Sequence, residues 1–156
     1  MESRIVTHDF PAWREKADFI IASRLGEELG IDRSFDWEQL WGRKISDNTF
    51  ELCCVPFFTY DLALGDIVET KPFESRNFVV HNLVSGGGHK TFRLFFQVLD
   101  RWNEILDDIR DIGCIVEPRW EKSKLVAIDA CREEESSALI DYLKTFDQEL
   151  LWENGN

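Results

Sequence analysis

Nowhere in this sequence do about 18 apolar residues run together, the length a membrane-crossing helix needs. The opening stretch, MESRIVTHDFPAWREKADF, also lacks an apolar core behind a positive start. The chain therefore reads as neither membrane-spanning nor led by a secretory signal, and the expected location is the cytoplasm. Positive charge is scarce too: 18 Lys+Arg stand against 30 Asp+Glu, a formal net charge of -12. No basic patch stands out along the chain, so a nucleic-acid backbone would be repelled and no direct nucleic-acid binding is expected. The four cysteines, Cys53, Cys54, Cys114 and Cys131, lack the CxxC spacing of zinc ribbons and redox motifs. Cys53 and Cys54 are adjacent, so on a strand they face opposite sides and do not readily share a metal. Buried reduced thiols are expected, with no metal and no other cofactor.

What is present is apolar material in short pieces: 44% hydrophobic and 13% aromatic residues, enough for a folded globule. The densest run is TFELCCVPFFTYDLALGDIVET, residues 49–70. Its first half reads as a strand that enters a buried corner at Pro56, and Gly65-Asp66 reads as a turn before the next strand. Upstream, residues 1–16 mix charge with Ile5, Val6, Phe10 and Trp13 and suggest a loosely docked arm or a short helical turn. Residues 19–25 fit a helix or a strand on periodicity alone; the turn-like EELGIDRS that follows favours the strand. WEQLWGRKI alternates as a half-buried strand should, and DIVETKPF and NFVVHNLVS follow as a further pair.

Beyond the glycines at 86–88 the pattern changes. KTFRLFFQV is a strand, and Asp100 is placed to cap a helix carrying Trp102, Ile105, Leu106, Ile109 and Ile112 until Gly113 stops it. CIVEPRW and KLVAIDA read as strands, Glu133 to Glu135 open a second helix, and residues 150–152 suit a last strand. The expected class is α+β: a small N-terminal β-barrel or rolled sheet, followed by a ferredoxin-like β-α-β-β-α-β unit. The expected boundaries are 1–16 for the arm, 17–85 for the β-rich part and 86–156 for the α+β part.

Candidate chemistry is thin. SGGGHKT, residues 85–91, matches neither GxGxxG nor GxxxxGK[ST] and precedes a strand, so it reads as a linker and not as a phosphate loop. His8, His81 and His89 have no local motif linking them to Cys53, Cys54 or Ser85 as nucleophile. Arg93 lies mid-strand, either on a solvent face or paired with a buried carboxylate such as Asp66 or Asp129. Asp66, His89, Thr91, Arg93 and Asp129 form the candidate ligand cleft between the two parts, because together they supply acceptors, donors and a cation. Most of the tryptophans are expected in the core.

The order LWGRK from Leu40, VPFF from Val55, LALGDIV from Leu62, SGGGHKTFRL from Ser85, IGC from Ile112 and LVAID from Leu125 resembles the bacterial family known as domain of unknown function 4265. The resemblance spans roughly residues 17 to 153, with a poor match at FIIASRL and a longer N-terminal arm here. Small acidic bacterial proteins of this kind are sometimes immunity proteins encoded beside toxins. That analogy, with the charge of -12, leads to the expectation of a non-catalytic binding protein that neutralises a basic, nuclease-type toxin domain. Its contact residues would be Asp107, Asp108, Asp111, Glu133, Glu134 and Glu135. The alternative expectation is a small-molecule or nucleotide-binding domain that uses the cleft.

Overall fold

A computed structural model of the chain describes residues 4–26 and 35–155. Among them are ten strands and two helices, an α+β arrangement in two sheets. The first sheet holds β1 (Ile5–Val6), β2 (Phe19–Arg24), β3 (Trp37–Lys44), β4 (Thr49–Leu52), β5 (Ile67–Phe73) and β6 (Arg76–Ser85). Their order is β1-β3-β2-β6-β5-β4, with a further β3–β4 pairing that turns the sheet back on itself. Gly42 permits that turn: it faces Phe19 of β2 and Leu52 of β4, and a Cβ there would meet the Phe50 Cβ at 3.3 Å. Inside the roll, Ile21, Leu40, Phe50, Leu52 and Val68 pack together, with Phe19 and Phe78 against Phe50. Closure is thin, because β2 meets β6 through a single parallel pair, Ala22 and Val79. The sheet is therefore rolled without being a clear barrel.

The second sheet comprises β7 (Lys90–Phe96), β8 (Ile115–Pro118), β9 (Leu125–Ala130) and β10 (Leu150–Asn154), in the order β10-β7-β9-β8 with every neighbour antiparallel. Helices α1 (Trp102–Ile112) and α2 (Glu133–Leu143) cover one face, burying Phe92, Leu94, Phe96, Ile105, Leu106, Ile109, Leu139 and Leu143. Gly113 ends α1 in the left-handed conformation (φ 112°), as its place in the sequence suggests. The N-cap of α1 is Arg101, one residue past Asp100, and it makes no side-chain cap.

The other face of the second sheet rests on the first through a third cluster, in which Ala127 packs with Val6, Val55, Phe57 and Leu64. The segment between β4 and β5 supplies most of that layer, and here the structure departs from expectation. The apolar run does not continue as a strand through Val55 to Phe58; β4 stops at Leu52. Its backbone donors are taken by buried carboxylates instead of a neighbouring strand, which an apolar pattern does not reveal. Nor is the N-terminal arm loosely docked. Val6 and His8 are buried, β1 pairs in parallel with β3, and the Trp13 N–H donates to the Cys53 carbonyl. Residues 19–24 form a strand, whereas the turn expected at EELGIDRS lies outside the described residues.

Candidate functional site

Between the sheets runs a groove of about 970 Å³. Phe35, Phe57, Phe58, Tyr60, Trp120 and Trp152 give it an aromatic lining. Its charged residues are Arg4, Arg93, Arg119, Lys122 and Lys124 against Asp36 and Glu153. A chain of net charge -12 thus concentrates cations in this groove. No basic patch is visible in the sequence because these residues come from the arm, β7 and the β8–β9 connection, and only folding assembles them. The Arg119 guanidinium lies 4.7 Å from the Trp120 ring, 5.1 Å from Phe35 and 5.9 Å from Phe58, an aromatic cage around a cation.

Arg93 sits deepest. It is 4% exposed and stacks over Tyr60 at 4.8 Å, and its Nη2 donates to the Thr59 carbonyl at 2.6 Å. Glu153 approaches Nη1 only to 4.0 Å, an ion-pair distance but too long for a hydrogen bond; its Oε1 instead accepts from the Tyr60 hydroxyl at 2.7 Å. Nε and Nη1 are both buried without a hydrogen-bond partner among the described residues. Burial lowers the Arg93 pKa, and Glu38, Glu153 and Tyr60 oppose that shift. Arg93 is thus neither on a solvent face nor paired with Asp66 or Asp129, as the alternation of its strand suggested.

Beside it lies a second buried charged group of opposite character. His8 Nε2 contacts Glu38 Oε2 at 2.7 Å, and His8 Nδ1 bonds Glu117 Oε2. All three side chains are fully buried. Glu38 also accepts the N–H groups of Phe57, Phe58 and Thr59 and the Thr59 hydroxyl, at 2.6 to 3.1 Å. Glu117 accepts the Ala12 and Val55 N–H groups, each at 2.9 Å. Burial alone would push the His8 imidazole down, but the two carboxylates reverse this and hold its pKa at about 9, so it is protonated at neutral pH. Burial likewise opposes ionisation of Glu38, yet His8 and the amide donors bring its pKa below the ordinary carboxylate value. The cluster ties the arm to both sheets. Its signal was the strand parity that places Glu38 on the inward face with Leu40, and Glu117 with Ile115.

Of the five residues expected to line the cleft, only Arg93 does so. Thr91 is buried and donates to the Leu62 carbonyl at 3.2 Å. Asp66 accepts from the Ala63 and Gly87 N–H groups, each at 2.9 Å, holding the 86–88 glycines against the Gly65 turn. That segment leads directly into β7, consistent with a connector. His89 and Asp129 do meet, with Nδ1 at 2.8 and 2.9 Å from the two carboxylate oxygens. Burial raises the Asp129 pKa to about 6, with His89 pulling the other way. Cys131 lies 3.6 Å from the far nitrogen of the same imidazole. Cys53, Cys54 and Cys114 are buried as expected, whereas Cys131 is exposed.

The acidic contact residues fare unevenly. Asp108 accepts the Tyr142 hydroxyl at 2.6 Å, and Glu135 is buried, accepting the Arg132 N–H at 3.0 Å. Asp107 pairs with Arg110 at 3.0 Å and Glu133 with Lys90 at 3.8 Å, all with exposed side chains. Asp111 and Glu134 are exposed.

Two antiparallel-rich sheets clasping an aromatic, cationic groove make this an α+β protein with a ligand-sized concavity at the sheet junction. More particularly, the chain belongs to the family described as Domain of unknown function (DUF4265), whose model matches residues 38–154. The matched span takes in Glu38, Arg93 and Glu117 but leaves His8 and Arg4 outside it. The chain is also similar to a hypothetical protein from Neisseria gonorrhoeae known from a crystal structure, with a TM-score of 0.65 and 15% identity over 88% of this chain and 95% of that one. At that identity the likeness concerns the fold. No curated protein matches the chain.

Proposed function

We propose that this protein binds a small anionic ligand with an aromatic or apolar body in the groove between its two sheets. The observation that carries the reading is Arg93: a buried guanidinium lining the groove, with two nitrogens, Nε and Nη1, unpartnered among the described residues. Leaving such donors unmet costs about 1 to 3 kcal/mol each, and a carboxylate, sulfonate or phosphate oxygen removes that penalty with charge-assisted bonds. The aromatic walls suit the remainder of such a ligand. The strand order of the second sheet supports reading residues 86–156 as a ferredoxin-like unit and residues 17–85 as a rolled-sheet unit, with the groove at their junction.

The test uses a matched pair of probes, 8-anilinonaphthalene-1-sulfonate and uncharged N-phenyl-1-naphthylamine, followed by their fluorescence. The sulfonate should bind at least about tenfold tighter, and Arg93→Met should abolish the difference. Equal affinities in the wild type, or a preference that survives Arg93→Met, would sink the proposal.

A second reading, capture of a basic protein such as a toxin domain by an immunity protein in the cytoplasm, is favoured by the charge of -12 and by the exposure of Asp111, Glu133 and Glu134 on the helical side. The free thiols suit that reducing compartment. Association with a basic partner should then slow steeply with added salt, and Asp111→Lys with Glu134→Lys should slow it further. Salt-independent association would count against this reading.

A further inference from the structure

We propose that Cys131, His89 and Asp129 form an imidazole-assisted nucleophilic thiol, and that Cys131 is a site of reversible mixed-disulfide formation with small disulfides. The three residues are brought together by the pairing of β7 with β9. Thr91 faces Asp129 and Lys90 faces Ala130, so one step further along the ladder sets His89 beside Cys131. The Asp129 side chain is fully buried and both its oxygens lie within hydrogen-bond reach of His89 Nδ1. An ionised Asp129 accepts the Nδ1 proton, which leaves Nε2 to face Sγ at 3.6 Å as the proton acceptor. The ring is held from the side by Trp13, edge-on at 5.8 Å and 88°. Gly65 lies on the same side, where a Cβ would meet the Trp13 ring at 3.3 Å.

Solvent access singles out this thiol from the other three. Cys53, Cys54 and Cys114 are buried, and burial pushes their thiols up, to about 11 for Cys53 and about 12 for Cys114. The charges around the cluster are mixed. Asp66 from the β4–β5 connection and Glu135 from α2 act on Asp129, Arg132 and Glu133 follow Cys131 in the chain, and Lys90 pairs with Glu133. Activation therefore comes through the directed imidazole and not through a general positive field.

The step is a thiol–disulfide exchange. The Sγ proton passes to His89 Nε2, and the resulting thiolate attacks one sulfur of the disulfide. A new S–S bond forms at Cys131 as the original S–S bond breaks, and the departing thiolate takes the proton back from the imidazolium. Cys131 is oxidised to the mixed disulfide and the small disulfide is reduced to one thiol, so electrons and protons balance.

Release of 4-thiopyridone from 4,4′-dithiodipyridine by the full folded chain, followed from about pH 5.5 to about pH 9.5, tests this. One thiol per chain should react in a fast phase that Cys131→Ser removes. Near neutral pH it should run at least about tenfold faster than the same reaction of glutathione, and His89→Gln should remove that advantage. A fast phase that persists in Cys131→Ser overturns the proposal, as does one that is unchanged in His89→Gln. If that variant releases all four thiols by unfolding, the wild-type rate decides alone: a Cys131 phase no faster than glutathione near neutral pH overturns the assignment.

Discussion

Two buried cations, His8 and Arg93, have networks that reach the same 57–59 segment, and they are treated in opposite ways. Protonated His8 has a carboxylate on each ring nitrogen, and those carboxylates are in turn filled by amide donors from the arm and the 55–59 segment. Arg93 has one good acceptor, a distant Glu153 and two buried nitrogens with no hydrogen-bond partner among the described residues, in a side chain that lines the groove. A saturated buried network holds parts of a fold in place, whereas a half-satisfied one is either a defect or a receptor. The difference fits a structural role for His8 and is the ground for the recognition proposed at Arg93.

Removing His8 should cost the fold most. His8→Ala leaves Glu38 and Glu117 buried and facing each other, and breaking a buried charged pair in this way costs about 3 to 5 kcal/mol. Urea unfolding should show the midpoint falling by that equivalent; a change within experimental scatter would refute the structural role. The next largest effect is in pH. The His8 pKa is raised on folding from 6.5 to about 9, so its contribution is complete below about 6.5 and is lost as pH rises through about 9. Stability measured by urea titration should decline across that window in the wild type, and the His8-dependent part of the decline should be absent from His8→Ala. Asp129, raised from 3.8 to about 6, contributes in the same direction but lower down, fading as pH climbs through about 6.

Smaller effects belong to the groove. Tyr60→Phe frees Glu153 Oε1 from its 2.7 Å bond and should cost about 1 kcal/mol by thermal unfolding. Arg93→Met should leave stability within about 1 kcal/mol of the wild type, or raise it, because an apolar side chain there has no unmet donors. A loss as large as that of His8→Ala would mean that Arg93 is a structural cation after all. Gly155→Ala sharpens the point without removing charge: a Cβ at Gly155 would run into Arg93 Nη1, so anion binding should weaken while the guanidinium remains.

Much of the architecture was legible because it follows from local pattern. The apolar positions Ile105, Leu106 and Ile109, closed by Gly113, predict α1, and Gly65-Asp66 predicts a turn whose aspartate does bond the backbone. The sites were harder to read for a physical reason: they depend on pairings far apart in the chain. His8 meets Glu117 across 109 positions, and Arg93 meets Thr59 across 34. The 55–59 segment misled because its apolar residues resemble a strand while its amides are served by two glutamates from other elements. Strand parity could have flagged Glu38 as inward-facing, and with it the need for a buried cationic partner. Nothing in the local sequence points from His89 to Cys131; only the β7–β9 register does.

The claim that Arg93 is a receptor and not a strut is tested most directly by observing its own N–H. In a ¹⁵N-correlated spectrum the Arg93 Nε–H resonance, assigned by its loss in Arg93→Met, should shift and become protected from exchange when 8-anilinonaphthalene-1-sulfonate is added, and should stay still with the uncharged analogue. An Arg93 signal indifferent to the sulfonate while other groove residues respond would contradict the account.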